Sequence, residues 1–522
     1  MSEALADALA AVRVATRRAD PDAALRASRR VLQLDRENAE VHLLLARALL
    51  AKNRYLDALA EANHHIDLVG NTVDGMTLKL SALIGLNRPT PARRVAEQIE
   101  PDTSKSLQRT LALARVANNF GRPGDGLKLA EEVLVADPDN REAQNYRGRA
   151  LIMLSRPDEA VQAYDQLLRG TPKNATFLYN RAVALMNSGQ TAAALQDFDA
   201  VANKPTRPAY ARFNRGLCRL TLGEFPAALD DFQARWELPD QRINRYVTAP
   251  IPFWSGEPLS GKRIVAFGEQ GFGDIIQFVR FLPRLKELGA EVVLCVRKPL
   301  HPLLRRAFPD HRVLERVEDG EGYDFQISLI DIPRVMNTAL DEVWSRPYLE
   351  AEPSRIDQWR DRIGANGLRI AIAWRGKESY GGNALRSPPL AAFEPLSQVS
   401  GVRLLSVQLG PGTQELRKLP KGMSVETLDG LDQGGGAFLD TAAVISVSDL
   451  VVTCDTSVAH LAGAMNRPAW VALPHVPDWR WMRGHESSPW YPSLRLFRQP
   501  EIGNWKSVFG EMAAALRSGA LG

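Results

Sequence analysis

Asn145-Tyr-Arg-Gly-Arg-Ala-Leu151, Tyr179-Asn-Arg-Ala-Val-Ala-Leu185 and Phe213-Asn-Arg-Gly-Leu-Cys-Arg219 are three versions of one phrase, spaced 34 residues apart. Laid out in rows of that length, the chain keeps one register from about residue 5 to residue 240 without an insertion. One column reads Ala24, Ala58, Ala92, Gly126, Ala160, Ala194 and Ala228. Four residues later it reads Ser28, Ala62, Ala96, Ala130, Tyr164, Phe198 and Phe232; twelve residues earlier, Val12, Ala46, Leu80, Ala114, Gly148, Ala182 and Gly216. Pro138 and Pro172 close two of the rows. Antiparallel helices approach closely only where one presents Ala or Gly, and a small or aromatic residue one turn on fills the remaining groove. The period predicts a solenoid of seven helical hairpins over residues 1–240.

Arg147, Arg181 and Arg215 stand one repeat apart, as do Asn180 and Asn214. Two roles are open to them. A ladder of Asn amides can pair with the backbone of an extended peptide lying in a solenoid groove. The same side chains can instead bridge neighbouring repeats. Helical phase does not choose between these roles, so the five are candidate residues of an acceptor groove.

After Trp236 the register stops. Glu237–Gly261 holds four prolines and no helical period, and residues 241–261 read as a linker. From Lys262 short apolar runs alternate with helical stretches: RIVAF, EVVLCV, FQISLI, LRIAIAW, VRLLSVQL, DLVVTC and AWVALP, with helices expected over Asp274–Leu288, Leu390–Val399 and Phe438–Val447. Such alternation implies parallel sheets covered by helices on both faces. Two prolines near Trp344–Ser354 divide the strands into two groups. The fold class expected is therefore α + α/β: the solenoid, then two Rossmann-like lobes at 262–350 and 351–522, ending in a helix near Trp505–Leu516. Ligands of such lobes bind outside the carboxyl ends of the strands.

Three stretches carry chemistry. Gly268–Phe278, GEQGFGDIIQF, follows a strand and opens a helix, so Gly271 and Gly273 allow the backbone to turn tightly against a ligand. Ile276 stands where a dinucleotide fingerprint needs its third glycine, which disfavours NAD. Asp274 begins the helix and is either an N-cap or a cleft-facing carboxylate. Asp449–Pro474 places Asp455, Thr456 and Ser457 between a buried strand and a helix, whose unpaired N–H groups suit a diphosphate. His460 lies one turn on from Thr456, on the same face. Ala373–Leu390, AWRGKESYGGNALRSPPL, holds Arg375, Lys377 and Arg386 in a Gly-rich loop suited to a phosphate.

Residues 1–240 resemble the tetratricopeptide (TPR) repeat family. The EQGFGD, DTSVAHLAGA and DWRW segments, in that order from Trp254 to Gln499, resemble TPR-fused relatives of the heptosyltransferase family of GT-B glycosyltransferases, most of all the flagellin glycosyltransferases. The resemblance implies Asp274 as general base on the acceptor hydroxyl. It implies Thr456, Ser457 and His460 at the donor phosphates, with Lys377 or Arg386 offsetting leaving-group charge. It also implies transfer of a sugar, such as a nonulosonic acid from a CMP donor, to hydroxyls of a protein, flagellin above all, held by the repeats. The chain departs from heptosyltransferases in its short first lobe and in lacking a lipid-A-core acceptor region. Two alternatives stay open: a glycan- or lipopolysaccharide-directed transferase whose repeats serve assembly, and a TPR scaffold with an inactive GT-B module.

A net charge of +4 over 522 residues gives no ground for nucleic-acid binding. The start of the chain, MSEALADALAAVRVATRRAD, lacks the apolar core of a signal peptide, and no run reaches the roughly 18 apolar residues of a membrane span. Cys218, Cys295 and Cys454 lack metal-ligand spacing, so the expectation is a cytoplasmic protein without disulfides or a zinc site. DxD triplets occur only in the repeats (Asp20–Asp22, Asp137–Asp139, Asp197–Asp199), which predicts an enzyme needing no metal and no cofactor beyond its nucleotide-sugar substrate.

Overall fold

A computed structural model describes residues 3–100, 106–204, 208–238, 246–320, 322–343, 346–376 and 386–519. Seven helical hairpins run from Glu3–Arg17 with Pro21–Leu34 to Pro208–Leu222 with Phe225–Phe232 among the described residues. The period extends beyond the core to the punctuation. Asn38, Thr72, Ser106, Asn140 and Asn174, each 34 residues from the last, cap the first helix of successive hairpins by accepting a backbone N–H. Ala19, Asn53, Asn87, Gly121, Ser155, Gly189 and Gly223 occupy the turn inside each hairpin, all with φ between 52° and 82°. That left-handed turn favours Gly and Asn and strains Ala19 and Ser155.

Volumes in the two core columns are reciprocal in five of the seven rows; in the other two, Ala46 with Ala62 and Ala114 with Ala130, both members are small. Where the residue after the small column is Tyr164, Phe198 or Phe232, the residue sixteen positions earlier is Gly148, Ala182 or Gly216. Where it is Ser28 or Ala96, the earlier residue is Val12 or Leu80. A Cβ on Gly148 would stand 2.7 Å from the Tyr164 ring. In those five rows this part of the hairpin core is filled from one side or the other.

The chain folds as two compact units, Met1–Ser188 and Gly189–Gly522. The periodic register reaches residue 240, but the helices Thr191–Val201, Pro208–Leu222 and Phe225–Phe232 belong to the second unit. There Phe225 meets Trp490 edge-on at 5.4 Å, and Leu220 and Phe232 share a core with Ile275 and Phe278. Arg235, 1% exposed, is held by Glu269 and Asp331. Where it is described, the stretch expected as a linker is packed: Val247, Ala249, Ile251 and Trp254 are buried, and Phe253 bridges to Gln326. Val247 bridges to Val317, and with Ala249 and Ile251 it shares a core with Val265, Phe267 and Cys295.

The remainder of this second unit holds two parallel sheets. The first comprises β1 (Arg263–Phe267), β2 (Glu291–Cys295), β3 (Arg312–Leu314) and β4 (Phe325–Ser328), in the order β3-β2-β1-β4. The second comprises β5 (Leu368–Ala373), β6 (Val402–Ser406), β7 (Glu426–Thr427), β8 (Leu450–Cys454), β9 (Ala469–Leu473) and β10 (Leu494–Arg498), in the order β10-β9-β8-β5-β6-β7. All seven expected strands form. β8 and β9 are buried at every position, as strands covered on both faces must be. The helix expected over Asp274–Leu288 is interrupted: Phe272–Phe278 passes through a tight turn at Val279–Phe281 into Leu282–Glu287, with Pro283 in the first turn of the latter. The last helix is Trp505–Arg517.

Candidate functional site

Each sheet reverses its strand order once. β1 lies between β2 and β4, and β5 lies between β6 and β8. Crevices beyond the carboxyl ends of such strand pairs are where open parallel sheets take ligands. Gly271, Gly273 and Asp274 follow β1. Arg375 and Arg386 follow β5, and Asp455, Thr456, Ser457 and His460 follow β8. The fold therefore brings the described candidates of this half to the two reversal points. Lys377 lies outside the described residues.

The two reversal points meet through the helices that leave them. Phe272–Phe278 packs on Ser457–Ala464 so closely that a Cβ on Gly273 would stand 2.8 Å from His460 Cδ2 and 3.5 Å from Ser457 Cα. The structure corrects the reason for the glycines. Gly271 has φ −77°, which any residue adopts, and Gly273 keeps negative φ as well. Glycine at 273 answers to a neighbouring helix rather than to a turn.

Asp274 is third in its helix, not the cap. Its Oδ2 accepts the Gly271 N–H at 2.7 Å, closing the first turn. Its Oδ1 accepts from the Arg480 guanidinium at 2.6 Å. Arg480, between Trp479 and Trp481, also donates to Asp478 Oδ1 at 2.9 Å and Gln277 Oε1 at 2.8 Å. Burial opposes its charge, but Asp478 and Asp274 hold its pKa above the ordinary arginine value.

Asp455 is buried beside Arg386, whose guanidinium nitrogen is 3.4 Å from Oδ2. Burial and the nearby Asp478 push its carboxyl up, with Arg386 opposing. Thr456 caps the Ser457–Ala464 helix by accepting the Val458 N–H at 3.3 Å, and its hydroxyl lies 3.0 Å from that of Thr453. Ser457 is half-buried at the helix start. His460 is buried, with Nδ1 3.1 Å from the Tyr491 hydroxyl and its ring 5.2 Å from Trp481. Burial, then Arg480, Arg280 and Arg386, hold it well below the usual histidine value, so it is a neutral imidazole. Arg375 pairs with Glu415 at 3.0 Å, and its backbone N–H donates to Gln408 Oε1. Arg375 and Arg386 are thus partnered by carboxylates, not loose cations on a basic loop.

Sequence reasoning missed Arg280 and did not single out Arg480. Arg280 is fully buried. It donates to the Gln277 and Trp490 carbonyls and to the Tyr348 hydroxyl, and lies 4.5 Å over the Tyr491 ring. The available signal was an arginine inside an apolar run, IIQFVRFL, and another between two tryptophans. A charge written into such surroundings must be paired when buried.

The repeat ladder also has partners. Arg147 meets Glu131 at 3.6 Å, Arg181 meets Asp165 at 2.7 Å, and Arg215 meets Asp199 at 3.1 Å and Asp231 at 2.6 Å. Glu131, Asp165 and Asp199 keep the 34-residue spacing, each on the last helix of the preceding hairpin. Asn180 donates to Asn145 Oδ1 at 3.0 Å. Of the two roles left open, these contacts fit bridging between helices. One group with metal-ligand geometry, His42, Glu61 and His64, occurs among the described residues, in the first unit.

The tetratricopeptide repeat profile matches residues 15–67, 111–175, 154–208 and 179–241. The N-terminal helices are tetratricopeptide repeats. Over 288 residues the chain is 29% identical to Protein FlbA of Caulobacter vibrioides (strain ATCC 19089 / CIP 103742 / CB 15), an alignment spanning 51% of this chain and 48% of that protein. The chain thus matches about half the length of that relative. A tetratricopeptide repeat protein from Parabacteroides merdae ATCC 43184 is similar over 47% of this chain and 95% of its own, at 13% identity and TM-score 0.35. Pseudomonas aeruginosa pilF is similar over 39% and 92%, at 12% identity and TM-score 0.30. No helix among the described residues is long and apolar enough to cross a membrane.

Proposed function

We propose that the second unit is a GT-B glycosyltransferase without a catalytic metal, and that it moves a sugar from a nucleotide donor to Ser or Thr hydroxyls of a protein engaged by the repeats. The resemblance of its motifs makes flagellin the acceptor and a CMP-linked nonulosonic acid the donor to test first. The observation that supports this most is the junction itself, where Asp274, His460 and the Ser457–Ala464 helix start come together from two sheets. Each Asp274 oxygen accepts one hydrogen bond and keeps a lone pair for an acceptor hydroxyl, and Arg480 fixes the orientation of the carboxylate. The Thr456–Ser457 helix start and Arg386 supply fixed positive charge for the departing phosphate.

Asp274→Ala tests the assignment, because Arg480 keeps Asp478 and Gln277 and the fold should persist. Transfer to purified flagellin, followed by mass spectrometry, should fall about 100-fold or more, while calorimetric nucleotide affinity holds. A variant retaining a tenth of turnover removes Asp274 from the chemistry. Inhibition by EDTA that Mn²⁺ reverses would overturn the metal-free mechanism.

One observation favours a second reading, in which the repeats serve assembly and the acceptor is a glycan. The Arg147, Arg181 and Arg215 guanidinium groups are occupied by neighbouring helices. Protein capture by the full chain without nucleotide supports the first reading; transfer to a free glycan with no capture supports the second.

A further inference from the structure

In the second repeat, His42 on the Ala39–Ala51 helix faces Glu61 and His64 on the Tyr55–Val69 helix. One ligand atom of each lies within 4.8 Å of the other two. The His42 ring is buried, and both its nitrogens face acceptors: Nδ1 is 2.6 Å from Glu61 Oε2, and Nε2 is 2.9 Å from the Arg36 carbonyl oxygen. A neutral imidazole has one N–H. With Nε2 turned to the carbonyl oxygen, Nδ1 is the atom aimed at Glu61, where it can meet the carboxylate directly or through a shared cation. A third donor lies close to this pair. His64 stands three residues after Glu61, on the same face, and its ring centroid is 5.2 Å from that of His42.

Two imidazoles and one carboxylate are the ligand set of an open three-residue zinc site. The Nε2 bond to a backbone carbonyl is the outer contact that fixes the tautomer of a ligating histidine. Nitrogen donors select against Mg²⁺ and Ca²⁺, which take oxygen. We propose that His42, Glu61 and His64 bind a divalent transition ion of the zinc class, which ties together the two helices of the second repeat. Because His64 is exposed, the remaining coordination positions face solvent and exchange with it.

The test uses the full chain, stripped with EDTA and dialysed, and titrated with Zn²⁺ by calorimetry and with Co²⁺ by visible absorption. The wild type should take up one ion per chain and melt at a higher temperature with Zn²⁺ than without. His64→Ala leaves the buried His42–Glu61 pair intact and should keep the wild-type helical circular dichroism. It should bind Zn²⁺ at least about tenfold more weakly and lose the thermal gain. Glu61→Gln should behave likewise, and His485→Ala, in the other unit, should match the wild type. Affinity unchanged in folded His64→Ala, or no saturable binding by the wild type, overturns the site and leaves His42 and Glu61 as an ion pair.

Discussion

Arg480→Met is the sharpest perturbation of the junction. Methionine keeps most of the side-chain length and its packing, including the place over Trp479, where the guanidinium carbon lies 4.3 Å from the ring centre. It removes the cation from Asp274 and Asp478, bonded at 2.6 and 2.9 Å, and from Gln277 at 2.8 Å. Breaking a fully buried ion pair costs about 3–5 kcal/mol. The Asp274 and Asp478 side chains keep 20% and 24% of their exposure, so water recovers part of that. Two charge-assisted bonds at the low end of their range give an expected loss of about 3 kcal/mol. Asp274→Asn in the Arg480→Met background removes one uncompensated charge and should restore about 1 kcal/mol, a coupling that a double-mutant cycle isolates. Urea unfolding followed by tryptophan fluorescence is the assay. All ten tryptophans lie at or beyond Trp236, so the signal reads the second unit alone. A loss below about 1 kcal/mol, or strictly additive variants, would refute the view that Arg480 holds Asp274 in place.

Three further outcomes are expected. Gly273→Ala should destabilise the second unit by about 1–2 kcal/mol, overpacking against His460 outweighing the gain in helix propensity; the loss should shrink in a His460→Ala background, and an unchanged urea midpoint would show the helices can part freely. Burial and Asp478 raise the folded-state carboxyl of Asp455, so its contribution is full below the unfolded value of about 3.9 and is lost as pH rises through the folded value. Asp455→Asn should therefore gain on the wild type in melting temperature as pH rises from about 4 to 7, and a relative decline would reverse the sign assigned to Asp455. In the repeats, Gly121→Ala should cost about 1 kcal/mol from its φ of 72°, where a Cβ would meet nothing, while Ser155→Gly at φ 58° should stabilise by about 0.5 kcal/mol; circular dichroism melts of the full chain decide both.

The solenoid was legible because one period governs core, caps and turns together. The columns at Ala24 and Ser28 announced the helices. The capping column from Asn38 to Asn174 and the turn column from Ala19 to Gly223 were equally present and went unread, being loop positions outside the apolar pattern. Strand existence was legible from apolar runs. β3 and β7 were too short to show, and in β10 the arginines of LRLFR break the run expected of a buried strand. The site was legible as far as backbone punctuation reached: Gly273 and Asp274 lie in the first turn of one helix and Thr456 caps another, each at a reversal point. Its electrostatics were not, because a charge is placed by partners far along the chain. Arg480 meets Asp274 across 206 residues, and no local spacing encodes that distance. The repeats run to residue 241, as their period indicates, yet the compact division falls earlier. Register is a local property, whereas the compact division after Ser188 depends on Phe225 reaching Trp490.

The reciprocal volumes inside the hairpins restrict how such an array can lengthen or recombine. A crossover in the turn of a hairpin would join the first helix of one row to the second helix of another. Joining the Leu80 helix to the Tyr164 helix would crowd a leucine against a ring that tolerates only glycine at that height. Crossovers between hairpins leave each matched pair intact. The turn at Ser155 is therefore where a graft fails even though the period is preserved, because it lies between Gly148 and Tyr164, whereas the turn at Asn53, between Ala46 and Ala62, carries no such constraint.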